Sequence, residues 1–214
     1  MPPTRRAYLT TVGTAAAVGL AGCAGSSGAG ETSHSCELSD RDPVAELPQP
    51  TRGDADATVT VDLFEDFACP GCATFALEDF GRLVDEYAGE DVRFRRFDFL
   101  VVNSDWNEPV ANAARSVQDA LGDGAFFEFA DAAYENQSDY SWQLIGDLAE
   151  DVDADPCRVL SDADGRTYEG VIQADQTEGE SRGVPGTPAA FVDGQLLEGA
   201  ASYERVSSAI DDAL

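Results

Sequence analysis

The 214-residue chain contains no lysine. All 13 of its basic residues are arginine, set against 41 aspartates and glutamates, for a net charge of −28. A negative field of that size repels phosphate backbones and anionic lipid headgroups, which argues against nucleic acid or a charged bilayer surface as a partner. In dilute buffer the same field pushes a compact chain apart. In molar salt, where the Debye length is about 3 Å, that repulsion is largely screened. A lysine-free acidic surface is thus the composition expected of a halophile, a haloarchaeon in particular.

Metal-binding side chains are scarce too. Histidine and methionine occur once each, as His34 and Met1. A structural zinc site wants four ligands, commonly a second cysteine pair or histidines, and copper(I) sites favour additional cysteine or methionine. With one close cysteine pair, the chain makes a poor metal carrier, and no metal ligands are assigned. Long apolar runs are missing as well. The N-terminal one, from Tyr8 to Gly22, has 15 residues, where a membrane-spanning helix needs about 20. There is no internal repeat.

What that N-terminal run does have is a charged start, Arg5-Arg6, and small residues at its end. This predicts a twin-arginine signal peptide over residues 1–22. "LAGC", residues 20–23, resembles a lipoprotein cleavage box, which would leave Cys23 as a lipid-carrying first residue; an ordinary signal with an incidental cysteine is the alternative. Residues 23–54 are expected to form a tether, beginning with the small, polar stretch "AGSSGAGETSHS", with His34 solvated. The expected product is exported and lipid-anchored to the outer face of the cytoplasmic membrane. No dimerisation segment is evident, so a monomer is expected.

Four of the five cysteines remain once Cys23 is set aside, an even number that suits an oxidising exterior. Cys69 and Cys72 are separated only by Pro70 and Gly71. Cys36 and Cys157 either bridge, closing a loop of more than a hundred residues, or stand as two separate buried thiols.

From residue 55 onward the pattern is that of a folded domain. "ATVTVDLFEDF", residues 57–67, is β-branched and apolar, and reads as a buried strand. Cys72, Ala76, Phe80, Leu83, Val84 and Tyr87 then recur at helical spacing, with Gly89 as a C-cap. "DVRFRRFDFLVV", residues 91–102, is a second strand, parallel to the first across a βαβ crossover. About 75 residues of helices and short loops follow, roughly 104–182, including a helix that Asp155 caps and Pro156 starts. Residues 188–192 and 195–200 form a hairpin around Asp193-Gly194, a type I′ signal. Residues 202–214 form a final amphipathic helix.

Pro70 suits the first position of a helix, which makes Cys69 the N-cap. Its sulfur then faces unpaired amides and the positive end of the helix dipole, a setting that favours thiolate over thiol. Cys69 is therefore the expected attacking thiol and Cys72, one turn in, the shielded resolving one.

The order βαβ, helical block, ββα, with "CPGC" heading the first helix and "GVPGTPAAFVDG" at residues 183–194, resembles the DsbA-like thiol–disulfide oxidoreductases. The resemblance covers about residues 55–214. It implies an α/β thioredoxin-like fold with a helical insertion between the βαβ and ββα halves, and a cis Thr187-Pro188 bond beside the dithiol. It also implies protein substrates: unfolded or reduced exported proteins. A membrane-bound partner would reoxidise the dithiol. No bound cofactor is implied, because the Cys69–Cys72 disulfide is itself the redox centre. The family often carries an acid six residues before the first active cysteine; here that position is Leu63. Asp66 matches another frequent family acid and is either a proton shuttle or a solvated acid at the strand end. The direction expected is disulfide donation. Reductase or isomerase work comes next, then a copper-delivery lipoprotein, and last a redox-inert binding lipoprotein.

Overall fold

The structure, a computed structural model, describes residues 32–214; the segment expected as a signal peptide and Cys23 lie outside the described residues. The chain enters its sheet through a two-residue edge strand, β1 (Thr51–Arg52). β2 (Val59–Glu65) follows. After it come α1 (Pro70–Thr74), a π-helical turn over Phe75–Phe80, and α2 (Gly81–Tyr87). β3 (Val92–Asp98) pairs parallel with β2 and antiparallel with β1. The inserted block comprises α3 (Asn107–Leu121), α4 (Asp123–Glu135), a 3-10 turn at Gln137–Asp139, α5 (Trp142–Asp151), α6 (Pro156–Asp164) and α7 (Glu169–Ser181). β4 (Ala189–Val192), β5 (Gln195–Leu196) and α8 (Tyr203–Ala213) complete the domain. The sheet order is β1-β3-β2-β4-β5.

Strand alternation divides the apolar side chains between two faces. Val59, Val61, Leu63 and Phe94 enter the main core, which also takes Phe126, Phe127 and Phe129 of α4. Phe64 points the other way, into a smaller cluster with Phe97, Phe99, Val184 and Phe191. Arg182 lies over the Phe191 ring at 3.9 Å and pairs with Asp62, sealing that second cluster. Trp106 and Trp142 pack edge to face and are half-buried.

Several boundaries differ from the sequence reading. The strands are shorter than expected because the chain leaves the ladder once its last pairs are made, at Glu65 with Asp98. The helix after Cys69 is interrupted by the π-turn. It ends on Ala88, whose N–H returns to Val84 O, while Gly89 donates to Val92 O. At the hairpin both Asp193 (φ 46°) and Gly194 (φ 79°) take positive φ, as a type I′ turn requires. Asp155 caps α6 by accepting from the N–H groups of Cys157 and Arg158, with Pro156 in the first turn.

The largest correction concerns residues 23–54, expected as a tether. In their described part, from about residue 34, they lie against the domain. Cys36 is bonded to Cys157. The Arg41 guanidinium meets Asp162 at 2.5 Å, Val44 N–H donates to Thr167 O, and Gln49 donates to Asp175 at 2.6 Å. The small, polar composition that suggests a tether ends at Ser35; beyond it Leu38 has apolar surface to cover and packs on the main core. His34 is likewise not solvated: its ring lies 2.9 Å from the Asp147 carboxylate and its side chain is 11% exposed.

Candidate active site

β2 delivers the chain to the foot of α1. Cys69 sits there with an extended backbone (φ −86°, ψ 117°) and Pro70 opens the helix. Proline costs nothing at that position, because its missing N–H would have no intrahelical partner. Cys72 is one turn in and fully buried; Cys69 is 8% exposed. Both are reduced, and the disulfide present is Cys36–Cys157. The Thr187–Pro188 peptide is cis, and the Thr187 carbonyl accepts from the Cys69 thiol at 3.4 Å. A Cβ at residue 71 would meet Pro188 Cδ at 3.2 Å, so Gly71 lets the helix start lie close against the cis-proline loop.

The two sulfurs differ sharply in acidity. A hydrogen bond from Cys72 does most to lower the Cys69 pKa, from 9.0 to about 5. Burial opposes the shift, while Thr187 and the backbone N–H groups of Cys72 and Gly71 add to it. Burial drives Cys72 the other way, far up, and its contact with Cys69 and the charge of Glu65 push in the same direction. The pair is therefore one ready nucleophile and one sealed thiol.

Three sets of contacts hold this turn, and only the last left a signal in the sequence. Asp66 is fully buried. Its carboxylate accepts from Ala68 N–H and from the N–H groups of Val101 and Val102, each at 2.8 Å. It is thus no solvated acid; it ties the segment after β3 to the active-site turn. Gln137, in the inserted block, donates from Nε2 to the carbonyls of Phe67 (2.7 Å) and Cys69 (3.0 Å), and Tyr140 Oη donates to Phe67 O.

The third set is a buried ion cluster. Arg96 donates to Glu65 (2.8 Å), Asp98 (3.1 Å) and Tyr134 Oη (3.2 Å). Arg115 donates to Asp98 (2.7 Å) and Asp175 (2.6 Å). One signal did exist. Arg96 and Asp98 share strand parity with Val92 and Phe94, so they had to face the main core. Among the described residues, no group of three or more His, Cys, Asp or Glu side chains is arranged to hold a metal ion.

A cysteine at a helix N-terminus, a buried partner one turn in and a cis-proline loop whose carbonyl meets the first sulfur define a thiol–disulfide exchange site on a thioredoxin-like fold. The Thioredoxin family model matches residues 46–212, and the chain belongs to that family. It is 25% identical over 173 residues to disulfide bond formation protein D of Bacillus subtilis, a match covering 78% of this chain and 77% of that one. The oxidised BdbD structure from Bacillus subtilis superposes with a TM-score of 0.70, covering 81% of this chain and 98% of that one at 25% identity. Chlamydia trachomatis DsbA shares the fold, with a TM-score of 0.69 at 18% identity, covering 82% of this chain and 96% of that one. A Na(+)/H(+) antiporter, NhaA 1 of Salinispora arenicola, is 29% identical over 170 residues, but the chain spans only 24% of its length. The protein is a DsbA-like thiol–disulfide oxidoreductase.

Proposed function

We propose that the chain is an exported, lipid-anchored, monomeric oxidase of a halophile that donates its Cys69–Cys72 disulfide to reduced exported proteins and is reset by a membrane-bound thiol oxidase. The observation that carries this reading is the divergence of the two thiols: Cys69 near 5, Cys72 far above its ordinary value. A substrate thiolate attacks the Cys69 sulfur; the Cys69–Cys72 bond breaks, and its electron pair leaves on Cys72, which takes up a proton. A second substrate thiolate then attacks the substrate sulfur of the mixed disulfide and expels Cys69 as thiolate. The substrate has lost two electrons and the dithiol has gained them. A low Cys69 pKa makes it a good leaving group and stabilises the reduced form, which gives the disulfide oxidising power. Thr187 presents its backbone beside Cys69, at a cleft of about 240 Å³ lined by Pro185, Gly186, Pro188 and Gly199, where an extended substrate segment fits.

The sign of the pH dependence follows from a lowered pKa. Stabilisation of the reduced form is fully present above the unfolded value near 9 and is lost as pH falls through about 5. Titration of the reduced protein in molar salt, followed by thiolate ultraviolet absorbance, should show one thiol ionising near pH 5. That transition should vanish in Cys69→Ser. A single transition near the ordinary cysteine value would remove the basis for the oxidase.

A further inference from the structure

Asp66 meets both active cysteines through its own peptide groups. Its carbonyl accepts from Cys69 N–H at 3.0 Å, and its N–H donates to Cys72 Sγ at 3.5 Å, the longer reach that the larger sulfur atom sets. Its buried carboxylate accepts from Ala68 N–H on Oδ1 and from the N–H groups of Val101 and Val102 on Oδ2, each at 2.8 Å.

The place in the chain explains the aim of that N–H. β2 makes its last pair at Glu65, with Asp98. Asp66 is the first residue off the ladder, so its N–H turns to the sulfur instead of a strand partner. The peptide plane between Glu65 and Asp66 is pinned at both ends: Phe99 N–H donates to Glu65 O at 2.8 Å on one side, and Cys72 Sγ accepts on the other. The Asp66 carboxylate then ties the same residue to the active-site turn and to the segment after β3.

Cys72 needs a donor there. When the disulfide opens, an electron pair lands on a fully buried sulfur. Burial opposes charge on it most, then the contact with Cys69 and the charge of Glu65; the Asp66 N–H acts the other way. Tyr134 of α4 also faces Cys72, and Arg96 of β3 lies against both Glu65 and Tyr134. A backbone N–H fixed in advance where charge develops needs no reorganisation at the moment of reaction.

We propose that the Asp66 peptide N–H stabilises the Cys72 thiolate as it forms, and that the Asp66 carboxylate is the positioning group that keeps this N–H aimed. This rests on the oxidoreductase reading of the site. In the opening direction, a substrate thiolate bonds to the Cys69 sulfur, the Cys69–Cys72 bond breaks, and its electron pair settles on Cys72 beneath the N–H before a solvent proton arrives. In the closing direction, Cys72 gives its proton to solvent and bonds to the Cys69 sulfur, and the substrate sulfur leaves with the electron pair.

The test uses the full chain in a Cys23→Ser background, reduced at the Cys69–Cys72 pair, in molar salt with excess dithiobis(nitrobenzoate). The first thionitrobenzoate is released as Cys69 is capped, the second as Cys72 displaces the cap. Malic acid, the α-hydroxy analogue of aspartate, is placed at position 66 by nonsense suppression in cell-free translation. It keeps the side chain and the carbonyl and puts an ester oxygen where the N–H was. The second release should slow about tenfold and its rise with pH should move up, while the first release keeps its rate. Asp66→Asn, which keeps the N–H but loses one carboxylate oxygen, should slow the second release by less. A second release from the malate protein with the unmodified rate and profile overturns the proposal and leaves the oxidoreductase reading standing; a first release no faster than from a free cysteine would strike that reading instead. If the malate protein fails to fold, the Asp66 amide proton resonance decides. It should move upfield from the reduced parent to Cys72→Ala, where its acceptor is gone. An unmoved resonance overturns the proposal.

Discussion

Cys69→Ser should lose disulfide transfer to background, whereas Cys72→Ser should become a trap. Without Cys69 the site has no accessible sulfur: Cys72 is fully buried and held as a thiol, so it neither receives a substrate thiolate nor attacks one. Without Cys72 the Cys69 thiolate persists, because its place at the helix start and the N–H of Gly71 remain. It will still open a substrate disulfide, but nothing inside the protein then resolves the bond. Incubation with a disulfide-bearing peptide, read on non-reducing gels, should show a stable mixed disulfide for Cys72→Ser and none for Cys69→Ser. The reverse pattern would mean the two thiols have been assigned backwards. Some loss of Cys69 acidity is also expected in Cys72→Ser, since the Cys72 thiol is the largest single contributor to it.

The second large effect is on stability. Cys36 and Cys157 are 121 residues apart in sequence. In the chain-entropy model, closing a loop of that length stabilises by about 4–5 kcal/mol. This is a large share of the roughly 5–15 kcal/mol that holds a typical domain together. The bond also anchors the segment that supplies β1 and Gln49, and Gln49 donates to Asp175 of the ion cluster. The double variant Cys36→Ser/Cys157→Ser should therefore melt about 10 °C or more below the parent in molar salt. Its Cys69 should still react at room temperature. A melting point within a few degrees of the parent would show that the strap is held by its packing alone.

How far the sequence carried differs from one element to the next. The βαβ start and the Asp193-Gly194 hairpin were readable because strand period, turn chemistry and capping are local signals. The same holds for the Cys69-Pro70 helix start. The cis geometry at Pro188 came from family resemblance, since nothing in the residues around it dictates a cis bond. The strap, residues 34–54, showed only as the bridging alternative for Cys36 and Cys157: β1 has only two residues, and the rest of its hold comes from Asp162 and Asp175, more than a hundred residues away. The buried ion cluster was hidden for a similar reason. Parity with Val92 and Phe94 put Arg96 and Asp98 on the core side, but their partners Tyr134, Arg115 and Asp175 come from α4, α3 and α7, far along the chain. Asp66 was readable as an acid near the dithiol but not as a ligand of Val101 and Val102, because those N–H groups arrive from beyond β3. Glu65 was readable only as a nearby acid that matches neither of the family's acid positions, although its parity with Leu63 placed it inside.

The most direct test of the central claim is the midpoint potential of the Cys69–Cys72 couple, measured by equilibration with glutathione buffers in molar salt on the Cys36–Cys157-bonded domain. A Cys69 pKa near 5 against a sealed Cys72 predicts a strongly oxidising couple, closer to about −120 mV than to −270 mV. A value near about −270 mV would contradict the account, making the protein a reductant that draws disulfides out of its substrates.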